Sequence, residues 1–348
     1  MFYIMKTILI LYSELMPYNV VVVKELLQKD CVVHIFRWTI CSTPYVPPEL
    51  PNVIYYDRDS FSNSPSLLNQ VRKIKPDLIL VSGWIDKLYC KVVASYRKEC
   101  NIPIVAGSDT QWQGGRQWLN VLFSPFRHKR WFSYIQIAGI WQYEYARRLG
   151  FKRSQIIEPF YSADTDIFQK VSISSKEISY PRRLLFIGRF AKVKGLSFLL
   201  NAWKSIPDRK GWVLTLIGNG PLRDTLKDFP DVEIKDFMSQ EELAVEMQNS
   251  GAFILPSVFE PWALVLHEAA AGGLPILSSN CCGAVPYFVL DNYNGHLFTP
   301  GDVSSIRKAI QALIATPDEE LIRMSYKSRE LSKRINPEIV AQTLLSII

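Results

Sequence analysis

The stretch "AFILPSVFEPWALVLHEAAAGGLPILSS", residues 252–279, predicts a strand, a loop, a helix and a second strand in that order. The runs "AFIL" and "PILSS" have the length and apolar content of buried strands, and the helix "LVLHEAAA" ends at the paired Gly272 and Gly273. A strand, a crossover helix and a following strand form a βαβ unit of a parallel sheet. The stretch therefore predicts an α/β fold.

Two acidic residues, Glu260 in the loop and Glu268 in the helix, interrupt this apolar stretch. Carboxylates are rarely buried without a partner, so their position indicates a polar ligand. Glu260 follows the carboxyl end of its strand, where open α/β sheets bind ligands, and Glu268 lies about two helical turns further on. We expect each carboxylate to meet one end of an elongated polar ligand.

The same alternation of strands and helices continues on both sides of this stretch. Strand-like runs are "TILILY", "CVVHIF", "DLILVS" and "PIVAG" in the first half, and "RLLFIG", "WVLTLIG" and "VEIKDF" in the second. Longer helix-like segments separate them, which predicts two doubly wound α/β domains. We place these domains at residues 1–172 and 173–335, with the Ser-rich stretch near 172–180 as the linker.

Composition limits the class of protein. The chain has 348 residues, 48% of them hydrophobic, which is enough for two cores. No apolar run approaches the roughly 18 to 20 residues that cross a bilayer, and Lys6 and Glu14 bracket the first apolar run, unlike a cleavable signal. We expect a cytoplasmic protein. The six cysteines include no C-x-x-C pair, so we expect packing roles rather than disulfides or zinc.

Charge is unevenly distributed along the chain. The first 170 residues contain 21 Lys and Arg against 14 Asp and Glu, whereas the remainder contains 19 of each. The net charge of +7 therefore belongs entirely to the first half. An anionic partner for that half is the expectation that follows.

Two loops on the same predicted sheet edge carry groups that suit phosphates. Arg189 follows the strand "LLFIG", and Lys194 precedes a helix, so two cations and the amides of a helix start lie together. The turn "GNGP" supplies Gly218 and Gly220, which allow close backbone approach to a ligand. Cations between two carboxylates match a nucleotide diphosphate sugar, which has hydroxyl groups at both ends and phosphates between them.

The segments "FIGRFAKVKG", "LIGNGPL", "LPSVFEPWALVLHEAAAGGLP" and "NYNGHLFTPGD" together resemble the C-terminal domain of glycosyltransferase family 4, and the resemblance spans roughly residues 155–345. These are retaining enzymes of the α/β GT-B fold, in which two doubly wound Rossmann-like domains face a central cleft. The resemblance implies that Arg189 and Lys194 bind the donor diphosphate, Glu268 the ribose hydroxyls and Glu260 the transferred sugar.

Further roles follow only from this resemblance. Gly218 and Gly220 would line the donor site, the backbone after "VEIKDF", which ends at the donor-binding Phe237, would meet the base, and Ala263 and Leu264 would contact the donor. Residues 336–348 would form a helix that returns to the N-terminal domain.

The chain also departs from the family pattern. It has no glycine-rich loop after the first strand, and Tyr287 replaces a typical acid. Asp109 stands where many relatives have a His, so it would either face the sugar as a catalytic residue or only orient a loop.

The resulting prediction is a retaining glycosyltransferase that moves a sugar from a nucleotide diphosphate sugar to a glycan or lipid-linked acceptor. It needs no protein nucleophile, because the leaving phosphate helps to deprotonate the acceptor. It needs no metal cofactor, because Arg189 and Lys194 meet the diphosphate charge. Two alternatives stay open: a nucleotide-sugar epimerase of the same fold, and a non-catalytic donor-binding subunit. No G-x-G-x-x-G follows the first strand, which disfavours a dehydrogenase.

Two other motifs have competing interpretations. The "DRD" of Asp57 to Asp59 resembles the metal-binding D-x-D of the other large glycosyltransferase fold, but here it lies in an N-terminal loop and we do not expect a metal site. His267 adjoins Glu268 and could act as a base, although neighbours on a helix face different directions.

The stretch "WQGGRQWLNVLFSPFRHKRW", residues 112–131, mixes aromatic and basic side chains. It contains Trp112, Trp118 and Trp131 among Arg116, Arg127, Lys129 and Arg130. This composition indicates either a peripheral contact with an anionic membrane surface or aromatic packing inside the N-terminal domain. No recognised nucleic-acid-binding module is present, so we do not expect nucleic acid as a partner.

Overall fold

A computed structural model describes residues 5–39, 45–226, 229 and 231–348. The chain divides into two compact units. The first unit contains residues up to Ser162 together with Pro337–Ile348, and the second contains Ala163–Asn336.

The first unit is built on a parallel sheet whose described strands run in the order β3-β2-β1-β4-β5-β6-β7. Their bounds are β1 Lys6–Leu11, β2 Cys31–Arg37, β3 Val53–Asp57, β4 Leu78–Val81, β5 Ile104–Ser108, β6 Tyr134–Ile137 and β7 Ile156–Ile157. The strand order reverses direction between β1 and β4, which pair with Ile8 beside Leu78. This reversal makes the sheet doubly wound and creates a switch point at its carboxyl edge.

Helices cover the sheet of the first unit. They are α1 Pro17–Gln28, α2 Ser64–Ile74, α3 Lys87–Tyr96, α4 Gln117–Phe123, α5 His128–Trp131, α6 Ile140–Arg148 and, from the end of the chain, α15 Pro337–Leu345. All four residues of β4 are buried, as expected for a parallel strand with both faces covered. Helix α15 packs against α1, and Lys29 Nζ lies 3.1 Å from Glu338 Oε1.

The second unit repeats this architecture, with described strands in the order β10-β9-β8-β11-β12-β13. The strands are β8 Arg183–Ile187, β9 Val213–Ile217, β10 Val232–Lys235, β11 Ala252–Leu255, β12 Ile276–Ser279 and β13 Gly295–Phe298. The helices are α7 Thr165–Phe168, α8 Leu196–Lys204, α9 Arg223–Leu226, α10 Gln240–Gln248, α11 Leu264–Ala271, α12 Val285–Phe288, α13 Val303–Ala315 and α14 Asp318–Ser332. Here the strand order reverses between β8 and β11, which gives the second switch point.

The linker predicted near residues 172–180 is packed structure. Residues Ser174–Glu177 form a 3₁₀ helix, and Lys176 is only 2% exposed. Its ammonium donates hydrogen bonds to the carbonyl oxygens of Met247 at 3.0 Å and Ser250 at 2.8 Å, at the end of α10. Burial lowers the pKa of Lys176 to about 7. The division between the units accordingly lies between residues 162 and 163, whereas the sequence analysis placed it between 172 and 173.

The structure can be compared with two expectations drawn from composition, one about membrane-spanning segments and one about the cysteines. Among the described residues no helix is long and apolar enough to cross a membrane. The cysteines Cys31, Cys90 and Cys282 are buried, in line with packing roles, and Cys41 lies outside the described residues.

Candidate functional site

The predicted site residues of the second unit gather at the carboxyl ends of β8, β9 and β11. The loop after β8 contains a 3₁₀ helix, Lys192–Lys194, followed by Gly195 with φ of 67°. A Cβ atom on Gly195 would meet the carbonyl oxygen of Pro256 at 2.0 Å, so only glycine fits where the loops after β8 and β11 touch. The amide of Val258 fixes this contact by donating to the carbonyl oxygen of Val193 at 2.8 Å.

Contact between these loops brings two predicted site residues together. Lys194 Nζ forms an ion pair with Glu260 Oε2, and both side chains are largely buried. Ser257 Oγ donates to the same carboxylate oxygen at 3.2 Å, and its own carbonyl oxygen accepts from Ser279 Oγ at 2.6 Å. Glu260 is therefore held from two sides. Ser257 was not identified from the sequence, although its position two residues after the buried strand β11 was an indication.

Arg189 differs from Lys194 in its surroundings. It is exposed, directly follows Gly188 at the end of β8, and makes no ion pair with any residue that the structure describes. The edge thus carries one cation already neutralised by a carboxylate and a second whose charge is unpaired. An anion arriving at this edge meets Arg189 without first displacing a carboxylate from it.

Gly218 and Gly220 have φ of 144° and 154°, and both lie against the loop after β8. A Cβ atom on Gly218 would come within 2.1 Å of the carbonyl oxygen of Gly188, and one on Gly220 within 2.6 Å of that of Phe190. Main-chain bonds join the loops as well, including Phe190 N to Asn219 O at 2.8 Å. Both glycines are thus required for loop packing, and their contact with a donor stays a prediction.

Helix α11 begins with unusual backbone geometry. Ala263, just before its first residue Leu264, has φ of 82° and ψ of 69° in the left-handed region. For a residue with a Cβ atom this conformation costs on the order of 1 kcal/mol. The predicted end of the helix is confirmed, since Gly272 caps it and Gly273 follows with φ of 65°. One residue with a strained backbone therefore lies between the two predicted acids.

Glu268 is buried within α11, and its nearest hydrogen-bond partner is Gln240 Nε2 at 3.5 Å from Oε1. Burial raises the pKa of Glu268 to about 7, although the Gln240 amide opposes this shift. A buried carboxyl with such a pKa is typical of a functional site rather than of a packed core. Gln240, the first residue of α10, was not identified from the sequence.

His267 does not face the predicted ligand. Its Nδ1 accepts from the amide of Ala163 at 3.1 Å, so its proton lies on Nε2, which donates to the carbonyl oxygen of Ser332 at 3.0 Å. The ring stacks on Phe288 with centroids 4.3 Å apart, and burial lowers its pKa to about 4. The interpretation of His267 as a base is therefore wrong, because both ring nitrogens already have partners inside the second unit.

Phe237 follows β10, an edge strand, and is 73% exposed. Nearby, Arg223 bridges the carbonyl oxygen of Gly218 at 3.2 Å and the carboxylate of Asp236 at 2.9 Å. An exposed aromatic ring beside an ordered turn offers a surface on which a planar group can stack.

At the switch point of the first unit lies a cavity of about 360 Å³. Asp109 contributes to its wall together with Tyr12, Tyr18 and Tyr161, and the hydroxyl of Tyr161 bonds to the Asp109 carboxylate. Burial and then the charge of Asp109 raise the pKa of Tyr18 to about 12, and the same two causes raise the pKa of Tyr161 well above its ordinary value. The cavity is lined by phenols, carboxylates and the indole of Trp38. Among the described residues, no Lys or Arg lines it.

The "DRD" motif has a structural role. Thr39 Oγ1 donates to the carboxylates of Asp57 and Asp59, and Asp57 also caps the 3₁₀ helix Arg58–Ser60 through the amide of Asp59 at 3.1 Å. Within the described part of the chain, no group of three or more His, Cys, Asp or Glu residues is arranged to hold a metal ion.

Residues 112–131, the basic aromatic stretch, differ in burial: some fit aromatic packing inside the first unit, and others are exposed as a membrane contact would require. Trp112 and Trp131 pack against the core of the first unit, but Trp118 is 55% exposed. Lys129 lies 4.4 Å above the Phe151 ring and donates to Gln155 Oε1 at 2.8 Å. Trp112, Trp131 and Lys129 therefore fit packing within the unit, and a membrane contact of the exposed part of the stretch stays a prediction.

The second unit resembles known glycosyltransferases in sequence. Residues 168–331 match the family model of glycosyl transferases group 1. The matched residues make up most of the second unit. An uncharacterized glycosyltransferase of Haemophilus influenzae is 30% identical over 176 residues, covering 48% of this chain and 49% of the relative. The chain thus spans about half the length of that curated relative.

Two further comparisons extend over more of the chain. The lipopolysaccharide 1,6-galactosyltransferase of Escherichia coli is 23% identical over 266 residues, covering 72% of this chain and 69% of the relative. The crystal structure of Anabaena Alr3699/HepE in complex with UDP and glucose covers 97% of this chain and 98% of its own, with a TM-score of 0.72 and 16% identity. The fold is therefore that of GT-B glycosyltransferases, with two parallel-sheet Rossmann-like units.

Proposed function

We propose that this protein is a retaining glycosyltransferase of family 4 that transfers a sugar from a nucleotide diphosphate sugar to an acceptor hydroxyl. The observation that carries the proposal is the ion pair of Lys194 and Glu260 at the switch point between β8 and β11, with the unpaired Arg189 in the same loop system. A carboxylate and two cations at one edge provide for both the hydroxyls and the phosphates of such a donor.

The proposed chemistry depends on these charges. Cleavage of the bond between the anomeric carbon and the phosphate oxygen develops negative charge on the leaving diphosphate. Fixed cations stabilise that charge more than they stabilise the ground state. Retention follows when the acceptor hydroxyl attacks the face that the phosphate leaves and the phosphate takes its proton. Arg189 and Lys194 then supply the positive charge without a metal, and Glu260 orients the sugar.

The nucleotide would lie along the remaining residues of the same unit. Glu268 would accept from the ribose hydroxyls, and the exposed ring of Phe237 would stack on the base. The backbone at Ala263 and Leu264 would contact the donor at the strained start of α11. Support comes from the solved relative, whose complex contains UDP and glucose.

The acceptor would bind in the first unit, in the cavity beside Asp109. Its phenol and indole groups supply hydrogen bonds and flat apolar faces, a combination suited to sugar rings. The acceptor class would be a growing polysaccharide or a lipid-linked glycan presented at the cytoplasmic face of a membrane. The Escherichia coli relative, a lipopolysaccharide 1,6-galactosyltransferase, supports this class.

A ligand screen followed by product analysis tests the proposal. A nucleotide diphosphate sugar present at about 100 times its dissociation constant should stabilise the protein by about 2.7 kcal/mol in a thermal-shift assay. The donors that stabilise it should then be consumed with release of nucleotide diphosphate, in the presence of EDTA, when glycan acceptors are added.

Each rival function gives a different pattern. Conversion of the donor sugar without any acceptor would indicate an epimerase, and stabilisation without turnover would indicate a donor-binding subunit. Absence of stabilisation by every nucleotide diphosphate sugar would contradict the proposal. Full inactivation by EDTA that a divalent metal restores would contradict its metal-independent form.

A further inference from the structure

Helix α4 leaves one apolar face uncovered in the first unit. None of its residues is buried, and its large hydrophobic side chains are mostly exposed. The exposed set consists of Trp118, Leu119, Leu122 and Phe123, together with Phe126 in the turn that follows. The four helical members are spaced so that they share one face. An exposed apolar face of this kind marks an interaction surface.

A cavity of about 410 Å³ opens beside this helix. Asn120 of α4 lines it, and Arg127, which follows Phe126 directly, lines it as well. Trp84 and Trp131 form apolar parts of its wall. The cavity and the exposed face of α4 are therefore neighbouring parts of one surface, with the Arg127 guanidinium 5.4 Å from the centre of the Phe123 ring.

Three cations line this cavity, and none of its lining residues is acidic. Lys87 and Lys91 lie one turn apart on α3, and neither makes an ion pair with a residue in the described part of the chain. Like charges at this spacing destabilise a helix slightly. From residue 110 to residue 143 the sequence contains no Asp or Glu, so α4 and its neighbours add no negative charge of their own. An anion would relieve this concentration of positive charge.

His128 adds an unsatisfied polar atom to the same wall. It is 1% exposed, and its Nδ1 atom has no hydrogen-bond partner among the described residues. The ring meets Trp84 edge-on, with centroids 4.6 Å apart, and burial lowers its pKa to about 4, so it is neutral near pH 7. Buried polar atoms without partners are uncommon, so this one is a second sign of a missing ligand.

We propose that this cavity binds the phosphate headgroup of an anionic lipid while the apolar face of α4 enters the interfacial region of the same bilayer. A soluble anion would satisfy Lys87, Lys91 and Arg127 but would leave the α4 face exposed to water. A bilayer of anionic phospholipid covers both at once. The inference rests on the proposed function only for its biological use, since it would place the enzyme where a lipid-linked acceptor is presented.

Vesicle binding by the full chain tests the inference without any sugar donor. We expect cosedimentation with vesicles of phosphatidylcholine and phosphatidylglycerol at low salt, release at high salt, and none with phosphatidylcholine alone. The combined variant Lys87→Gln, Lys91→Gln and Arg127→Gln should lower the vesicle partition coefficient about 100-fold, at roughly fivefold per cation.

The matched control removes three other cations from the same unit. Lys24, Lys73 and Lys98 are exposed and lie outside the cavity, and none has an ion-pair partner in the part of the chain that the structure describes. Their combined change to Gln should reduce binding much less. Equal losses in the two triple variants, at unchanged melting temperature, would overturn the cavity assignment in favour of general charge attraction.

A second pair of measurements separates lipid from soluble phosphate. Leu122→Ser with Phe126→Ser should weaken vesicle binding about tenfold or more while leaving the melting temperature unchanged, because both side chains are exposed. The inference is wrong if this variant binds vesicles as the wild type does and glycerol phosphate alone stabilises the wild type as much as the vesicles do. The ligand would then be a soluble anion. Wild type that ignores phosphatidylglycerol vesicles at low salt would also overturn it. Sugar transfer to a soluble acceptor, measured separately, would show that the proposed function survives.

Discussion

The two switch points of this protein share a topology but differ in chemistry. Between β8 and β11, the second unit places Lys194, Glu260 and Arg189 on loops that are fixed to each other by main-chain contacts. Between β1 and β4, the first unit opens into a cavity whose lining includes the phenols of Tyr12, Tyr18 and Tyr161. Topology therefore decides where a ligand can bind, and the side chains on the loops decide which ligand it is.

The strongest test of this contrast removes the cations of the second unit. Arg189→Ala and Lys194→Ala should each lower kcat about 100-fold or more, because each loses a fixed charge facing the leaving diphosphate. Arg189→Ala should leave the melting temperature unchanged, since Arg189 is exposed and has no ion-pair partner in the described part of the chain. Lys194→Ala should lower it, since the largely buried Glu260 then loses the ammonium group of its ion pair.

Steady-state kinetics and thermal melts of the two variants provide the measurement. Lys192→Ala is a suitable control, because this exposed lysine lies in the same loop and makes no ion pair in the described part of the chain, whereas Lys194 holds Glu260. Near-normal kcat in both variants would show that the diphosphate does not bind at this switch point.

A smaller effect is expected from the first unit. Asp109→Asn should lower kcat/KM for the acceptor about 30-fold, equivalent to about 2 kcal/mol, because it removes a charged hydrogen-bond acceptor from the cavity wall. Tyr161→Phe retains the carboxylate but loses the hydroxyl bonded to it, so its effect should be smaller. Donor affinity, measured by calorimetry, should stay unchanged in both. A parallel loss of donor affinity would remove the distinction between the two switch points.

A smaller effect is expected in the pH dependence of donor binding. Because the pKa of Glu268 is raised to about 7, the fraction of this carboxyl group that is charged increases about tenfold between pH 6 and pH 8. A carboxylate accepts from ribose hydroxyls better than a carboxylic acid does, so nucleotide affinity should rise up to tenfold over this range. In Glu268→Gln that part of the pH dependence should disappear, and affinity should stay at the low-pH level. Calorimetric titrations at both pH values compare the two proteins.

The stability of the folded protein should fall as pH rises, whereas nucleotide affinity rises. The folded protein retains a proton on Glu268 between the ordinary carboxyl pKa and about 7, so this group makes folding less favourable as pH rises through that window. Glu268→Gln should therefore raise the melting temperature more at pH 8 than at pH 5. An identical change at both values would mean that Glu268 is already charged when buried.

The smallest expected effect concerns the start of α11. Ala263→Gly should stabilise the second unit by about 0.5 to 1 kcal/mol, because glycine adopts the left-handed conformation without the Cβ penalty. Thermal unfolding measures this gain. A loss of stability would show that the methyl group of Ala263 contributes packing worth more than the strain.

Local features were predictable from the sequence. The strand, loop and helix around Glu260 and the glycine end of α11 follow from apolar spacing and backbone preferences, which are encoded within a few residues. Those signals were enough to place the predicted second-unit site residues on loops and a helix at one sheet edge. They could not show that Lys194 and Glu260 are joined, because the two residues are 66 positions apart.

Other features depend on partners that the sequence does not bring together. The Ser-rich segment looked like a solvated linker, but Lys176 is buried because α10 presents carbonyl oxygens more than 70 positions later. Trp118 and Trp131 have the same composition around them, yet only Trp118 is exposed. In each case tertiary contact, rather than local preference, decides which side chain is buried.

The contacts at Gly195, Gly218 and Gly220 mean that the loops of the proposed donor site pack against each other through backbone atoms. The amides of Phe190 and Leu222 are hydrogen-bonded between these loops, at 2.8 and 3.0 Å, with no ligand involved. Their hydrogen exchange should therefore be slow in the free protein and change little when nucleotide binds. A binding edge that is rigid beforehand loses little conformational entropy on complex formation, so substitutions of its outward side chains can change ligand preference without rebuilding the loops.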